Sequence, residues 1–216
     1  DLDYSQIDEL PPGRKPVTTS IVSEQQRASL IARVAESCRD GGQAYWVCTL
    51  VEESEVLQCE AAEITYESLT RQLPNLSVGL VHGRMKPRDK EAVIAAFKKG
   101  DIHILVATTV IEVGVDVPNA NIMILENPER LGLAQIHQLR GRVGRGARES
   151  FCILLVKNQL SEQVRARLDI IRSTQDGFEI AEKDLELRGA GEVLGTRQTG
   201  EMSFRIADLL RDQKWF

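Results

Sequence analysis

The sequence predicts a doubly wound parallel α/β sheet with helices on both faces, followed by a C-terminal helical hairpin and loop. Three observations carry that prediction. Apolar stretches with almost no internal alternation, such as "AYWVCTLV" and "IHILVAT", read as strands buried on both faces. Between them lie segments whose apolar residues recur at helical spacing, so strand and helix alternate over residues 17–157. From Ser161 the pattern changes to helix, helix, glycine-rich loop, helix, which sets residues 158–216 apart as an appendage.

The elements follow in order. "DELPPGRKP" is rich in proline, so residues 1–16 read as a linker from an upstream domain. "VTTSIV" is strand-like, and Ser23 is placed to cap a helix from Glu24 to about Asp40. Leu30, Ile31, Val34, Ala35 and Cys38 form its apolar face, and Gly41-Gly42 stops it. "AYWVCTLV" is a strand; a helix over about 56–73 ends at Pro74. "LSVGLVHG" is a strand, and a helix from Pro87 to Lys99 closes at Gly100, with proline suited to the first turn. "IHILVAT", "NIMIL" and "SFCILLV" complete the strands, with the helical "LGLAQIHQL" before the last of them. Ligands of such sheets bind beyond the carboxyl ends of the strands. The exits "VCTLVEESE", "VHGRMK", "VATTVIEVGVDVP" and "ENPERLG" are therefore the informative places, and the helix leading into "RGRVGRGAR" is expected at the same edge.

Composition narrows the class. With 42% hydrophobic and 27% charged residues the 216-residue chain has an ordinary globular balance. A formal net charge of −5 argues against a general nucleic-acid coat. It leaves room for local basic patches, and there are two. "RGRVGRGAR" holds Arg140, Arg142, Arg145 and Arg148; "HGRMKPRDK" holds Arg84, Lys86, Arg88 and Lys90. The four cysteines (38, 48, 59 and 152) show no CxxC spacing and read as buried reduced thiols, and no metal site is expected. No apolar run reaches the ~18 residues of a membrane span, and the acidic N-terminus is unlike a signal peptide. A cytoplasmic location, with no membrane contact, is the expectation.

"QLRGRVGR" has the form Gln138-x-x-Gly141-Arg142-x-Gly144-Arg145. Its glycines permit close backbone approach and its arginines offer planar forks suited to phosphate oxygens. An isolated RGR reads more readily as a solvated basic helix end, because cations favour helix C-termini. The full spacing resembles the last signature of superfamily-two helicases, carried on the second of their two RecA-like motor domains. "ATTVIEVGVDVP" resembles the motif that precedes it: Ala107, Thr108, Gly114 and Asp116 match the DEAD-box form, whereas Thr109 and Val113 differ. "VHGRMKPRDKEAVIAAFKKGDIHILVATT" resembles the histidine-glycine element and helix before that. "DELPPGR", "ENPERLGLAQIHQLRGRVGRG", "GFEIAEKDLELRGAGEVLGTRQTG" and "IADLLRDQ" are similar to the RecG family of bacterial fork-remodelling helicases. "DLELRGAGEVLG" is shared with the Mfd family of transcription-repair translocases, and "GTRQTG" with "DELPPGR" favours the RecG family.

That resemblance implies roles. Arg145 would be an arginine finger reaching across an inter-domain cleft to the transferring phosphoryl group. Arg142 would hold the γ-phosphate or the facing domain, and Gln138 would orient the phosphate or the attacking water. Asp116 would accept hydrogen bonds from the ribose, with Gly114 allowing backbone approach. Thr108, His82, Gly83 and Arg84 would meet DNA. Arg188, Arg197 and Gln198 would belong to a loop that couples the motor to duplex DNA, made bendable by glycines 189, 191, 195 and 200. His103 and His137 read as structural.

The sequence contains no Gly-Lys pair, hence no GxxxxGK[ST] phosphate loop. A DExH or DEAD box is also missing, since "DELP" near the N-terminus has no strand before it. The resemblance therefore implies ATP and Mg²⁺ bound mainly by a first motor domain outside this chain, and a wedge domain that reads branched double-stranded DNA. A monomer acting on forks and Holliday junctions is expected, with negligible ATP hydrolysis by this chain alone. An Mfd-like translocase domain and a non-catalytic docking module for nucleic acid or protein are the alternatives.

Overall fold

The computed structural model describes residues 16–49, 54–108, 117–157 and 159–195, with side chains through residue 187. Six parallel strands form one sheet: β1 (Val17–Ser23), β2 (Gln43–Cys48), β3 (Val78–Val81), β4 (Ile104–Thr108), β5 (Ala120–Glu126) and β6 (Ser150–Val156). Their order across the sheet is β1-β6-β5-β2-β4-β3. The helices are α1 (Arg27–Arg39), α2 (Glu55–Gln72), α3 (Pro87–Lys99), α4 (Leu133–Arg140), α5 (Glu162–Ser173) and α6 (Gly177–Gly195). This is the predicted doubly wound α/β fold.

Both sheet faces are covered, as non-alternating strands require. Every residue of β2, β4 and β5 is buried. Along β2, Ala44, Trp46 and Cys48 join Leu30, Ile31 and Val34 of α1 and Ala62 and Leu69 of α2 in one core. Tyr45 and Val47 point the other way, into a core with Phe97 of α3, Ile136 of α4, Leu168 and Ile171 of α5 and Ile180 of α6. Tyr45 meets Phe97 edge to face, with ring centroids 5.1 Å apart.

Local chemistry sets the helix ends. Ser23 Oγ accepts from the Gln25 amide and starts a short 3-10 turn, Glu24–Gln26, so α1 proper begins at Arg27 rather than Glu24. Ser54 and Ser161 cap α2 and α5 through the amides of Leu57 and Val164. Gly100 ends α3 at φ 88°, a left-handed position that a Cβ disfavours. All four cysteines are buried and unpaired. Burial pushes the thiol pKa up, to about 11 at Cys38 and about 12 at Cys48 and Cys152. No helix among the described residues is long and apolar enough to cross a membrane.

The tail differs from its expected form. α6 runs unbroken to Gly195, so glycines 189, 191 and 195 lie within a helix and not in a loop. Each glycine costs about 1 kcal/mol relative to alanine in a helix interior. The intervening Leu187, Arg188, Ala190, Glu192 and Leu194 are good helix formers that offset it. Gly200, Arg197 and Gln198 lie outside the described residues, as does the side chain of Arg188.

Candidate nucleotide and nucleic-acid surfaces

Because the strands are parallel, all their exits share one edge, and the register aligns them. Glu126, Cys48 and Thr108 are successive Cα partners across β5, β2 and β4, and Val81 of β3 stands opposite Ala107. Thr108 is 1% exposed, and its Oγ1 has no hydrogen-bond partner among the described residues. One strand further, His82 is buried with both ring nitrogens engaged: Nδ1 accepts from the Arg84 amide at 3.2 Å, and Nε2 faces Glu63 Oε1 at 3.1 Å. The amide fixes Nδ1 as the acceptor, so Nε2 carries the proton and donates to Glu63. His82 thus ties the turn that presents exposed Arg84 and half-exposed Gly83; its own nitrogens serve the fold. Lys86 and Arg88 are exposed on the following residues.

The arginine-bearing segment occupies a different place from the one expected. α4 starts near the carboxyl edge and runs back across the sheet, so the turn after it lies toward the amino ends of the strands. Three contacts fix this. Gly146 lies so close to the Pro118 carbonyl, just before β5, that a Cβ there would overlap it. Arg148 donates to the Asp40 carbonyl and stands 3.5 Å from its carboxylate, capping the C-terminus of α1. Ser150 opens β6 opposite Val17. Gly41, at φ 100°, leaves the room that the Arg148 guanidinium fills.

The four arginines divide by role. Arg140 is 2% exposed and donates to the Ile171 carbonyl (2.5 Å), His137 Nδ1 (3.0 Å) and Thr19 Oγ1 (3.3 Å). Burial pulls its pKa down. Val143 then plunges into the core and Gly144, at φ 86°, turns the chain. Between and after them Arg142 is half-exposed and Arg145 exposed, with Arg145 Nε donating to the Gly141 carbonyl at 3.3 Å. Gln138 lies exposed one turn earlier on α4. Two guanidinium forks and an amide therefore face outward from a tightly held turn, which is a suitable way to present donors to a polyphosphate. Gly114 and Asp116 lie outside the described residues; the segment that holds them connects Thr108 at one edge to Val117 at the other.

α4 is braced by the appendage. α5 and α6 pack on it and on each other. Arg167 of α5 donates to the Leu131 carbonyl at 3.0 Å and stands 3.9 Å from Asp184, which is fully buried on α6.

A residue that sequence reading missed closes the carboxyl edge. Glu126 is 5% exposed, yet Arg27 meets both its oxygens (2.9 and 3.3 Å) and Trp46 Nε1 donates to it at 2.7 Å. Thr65 and Cys48 complete the ring, and Arg27 lies 5.3 Å over the Trp46 indole. Burial alone would raise the Glu126 pKa; the hydrogen bonds and charge of Arg27, with the Trp46 bond, outweigh it and hold the pKa below its ordinary value. Such a glutamate looks like any polar strand exit in the sequence. The partial signal was Arg27, an isolated cation at the start of an apolar helix face.

Residues 26–147 match the family described as the helicase conserved C-terminal domain, more than half of the 216 residues. The chain belongs to that family. Residues 174–216 further match the C-terminal part of domain 3 of the ATP-dependent DNA helicase RecG. Over 214 residues this helicase C-terminal domain and its tail are 65% identical to the ATP-dependent DNA helicase RecG of Escherichia coli K12, covering 99% of the chain and 31% of that protein. A RecG structure bound to a three-way DNA junction is similar over 98% of the chain and 28% of its own, with 43% identity and a TM-score of 0.72. Domain 2 of the DEAD-box helicase Mss116p shares the fold at a TM-score of 0.50 and 17% identity. The chain spans about a third of the length of its RecG relatives.

Proposed function

We propose that this chain is the second motor half of an ATP-dependent double-stranded DNA translocase of the RecG kind, which remodels stalled forks and Holliday junctions. The observation that carries the reading is the arginine turn. It directs Arg142 and Arg145 outward, while the sequence holds no Gly-Lys pair with which to cradle a phosphate itself. These donors suit charge bound by a neighbouring domain. ATP fits that arrangement; Mg²⁺ would be held with it by the first motor domain, where the phosphate loop belongs. When bound, the nucleotide supplies the transferring phosphoryl group, and the residues of this chain orient it and balance its charge.

In this reading Arg145 stabilises the charge that develops during transfer, Arg142 holds the γ-phosphate, and Gln138 orients the phosphate or the water. Gly114 and Asp116 approach the ribose. Thr108, Gly83 and Arg84 meet the DNA backbone at the opposite edge, with His82 setting the pose of Arg84. Residues 1–16 join the first motor domain, and 158–216 form the translocation appendage. α6 points from Gln175, bonded to Val17 at the amino edge, toward the carboxyl edge where Arg167 meets Leu131. Arg188, Arg197 and Gln198 would be the residues that couple the motor to duplex DNA. The wedge domain and branched DNA are the remaining partners, and the protein works as a cytoplasmic, nucleoid-associated monomer.

ATPase assays of the chain alone and of the intact parent, each with and without forked DNA, test the reading. The parent is expected to show fork-stimulated turnover and the chain alone only the background rate. Fork-stimulated hydrolysis by the chain alone would refute the division of the site.

A further inference from the structure

We propose that Thr49 and Asn127 are positioning residues that hold the DNA-facing strand exits and the arginine turn in one register, so that DNA contact is felt as arginine placement. This rests on the motor reading above. Asn127 is the only non-glycine at positive φ among the described residues (φ 54°, ψ 53°), and a residue other than glycine seldom adopts that conformation without a cause. The cause is a reciprocal clasp. Thr49 Oγ1 lies 2.5 Å from the Glu126 carbonyl and 2.9 Å from the Asn127 carbonyl, and Asn127 Nδ2 donates back to the Thr49 carbonyl at 3.2 Å. The Asn127 amide is bonded to the Leu155 carbonyl of β6 at 3.0 Å. Beneath, the Glu126 side chain is gripped by Arg27 and Trp46. The end of β5 is thus clamped from both neighbouring strands and from below.

What hangs from this clamp is short. A single 3-10 turn, Pro128–Arg130, with Arg130 N bonded to the Asn127 carbonyl, leads into the eight-residue α4 and then to Arg142 and Arg145. On the other side, Thr49 sits one residue past the row in which Cys48 is the partner of Thr108. The clasp is therefore the junction between the exit row that contains Thr108 and the helix that aims the arginines. A rigid junction conveys a shift of the exits to the far end of α4; a slack one absorbs it.

Fork-stimulated ATPase of the intact parent tests this in four variants beside wild type. Thr49→Val removes the hydroxyl at constant shape, Asn127→Gly keeps the left-handed backbone without the amide, Thr49→Ser retains the clasp, and Arg145→Ala reports on the motor reading itself. Stimulation by forked DNA is expected to fall about tenfold in Thr49→Val and Asn127→Gly. Fork affinity and the KM for ATP should stay within about threefold, and Thr49→Ser should match wild type. Wild-type stimulation in Thr49→Val and Asn127→Gly overturns the proposal. So does a fall in fork affinity that accounts for the lost stimulation, or a Thr49→Ser variant as poor as Thr49→Val. An Arg145→Ala protein with undiminished turnover instead refutes the motor reading, whatever the clasp variants do.

Discussion

Replacing Arg145 by alanine in the intact parent is expected to lower fork-stimulated ATP turnover by about 10³-fold or more, the range in which an arginine finger acts. Fork affinity should change by less than about threefold, because Arg145 lies on the turn near the amino ends of the strands, away from the exits assigned to DNA. The fold should also be unaffected. Arg145 is exposed, and its Nε bond goes to the Gly141 carbonyl within the same turn. The conformation of that turn is set instead by buried Val143, by Gly144 and by the Gly146 approach to Pro118. Arg145→Lys should recover only part of the rate, since an ammonium cannot reproduce the two-pronged guanidinium geometry. Steady-state kinetics with a fixed fork would show the loss in kcat, with the KM for ATP little changed. A wild-type kcat in Arg145→Ala would reduce the cluster to a surface feature.

Glu126→Gln is the second large effect, and it acts on stability. Removing the buried carboxylate costs about 1.5–3 kcal/mol, the range of hydrogen bonds to charged groups, because Trp46 and the half-buried Arg27 lose their acceptor while Arg27 keeps Glu24. In a chain of this size that corresponds to a fall in Tm of roughly 3–12 °C. The amide would turn a donor toward Arg27, whose pKa burial would lower but the bonds and charges of Glu126 and Glu24 together raise. The sign of the pH dependence follows from the lowered Glu126 pKa. Its stabilisation is fully present above the ordinary glutamate value of about 4.3 and is lost as pH falls through the lower folded value. The Tm gap between wild type and Glu126→Gln should therefore be widest near neutrality and close in acid. Pairing Glu126→Leu with Arg27→Met should recover much of the loss, as apolar replacements of buried ion pairs often do. Strictly additive losses in that double variant would show that the two side chains do not act as a pair.

The legible part of the fold was its periodicity. β6 and α3 fall where "SFCILLV" and "PRDKEAVIAAFKK" place them, because an unbroken apolar run and a proline-to-glycine frame are local signals. The arginine motif was legible as spacing, but its position was not. "LGLAQIHQL" gives a helix without saying how far it returns across the sheet, and the contacts of Gly146, Arg148 and Ser150 place the turn away from the carboxyl edge. Arg140 looked like its neighbours, yet it is buried on the Ile171 carbonyl, a contact 31 residues distant in sequence. Glu126 and Asn127 carry no local mark for the same reason: their partners are Trp46 and Thr49, brought in by the pairing of β2 with β5, and Arg27, brought in by α1 packing on the sheet. The glycines of "LRGAGEVLG" misled in the opposite direction, since helix formers on either side outweigh the flexibility that each glycine adds.

The central claim is that Arg145 acts on a nucleotide held by another domain. The most direct measurement is a structure of the intact parent with forked DNA, ADP and a planar fluoride mimic of the transferring phosphoryl group. The account predicts the Arg145 guanidinium within hydrogen-bonding distance of the mimic, about 3 Å, with Arg142 beside it. A guanidinium that stays folded against Gly141 and faces solvent, while the mimic is bound by other residues, would contradict it.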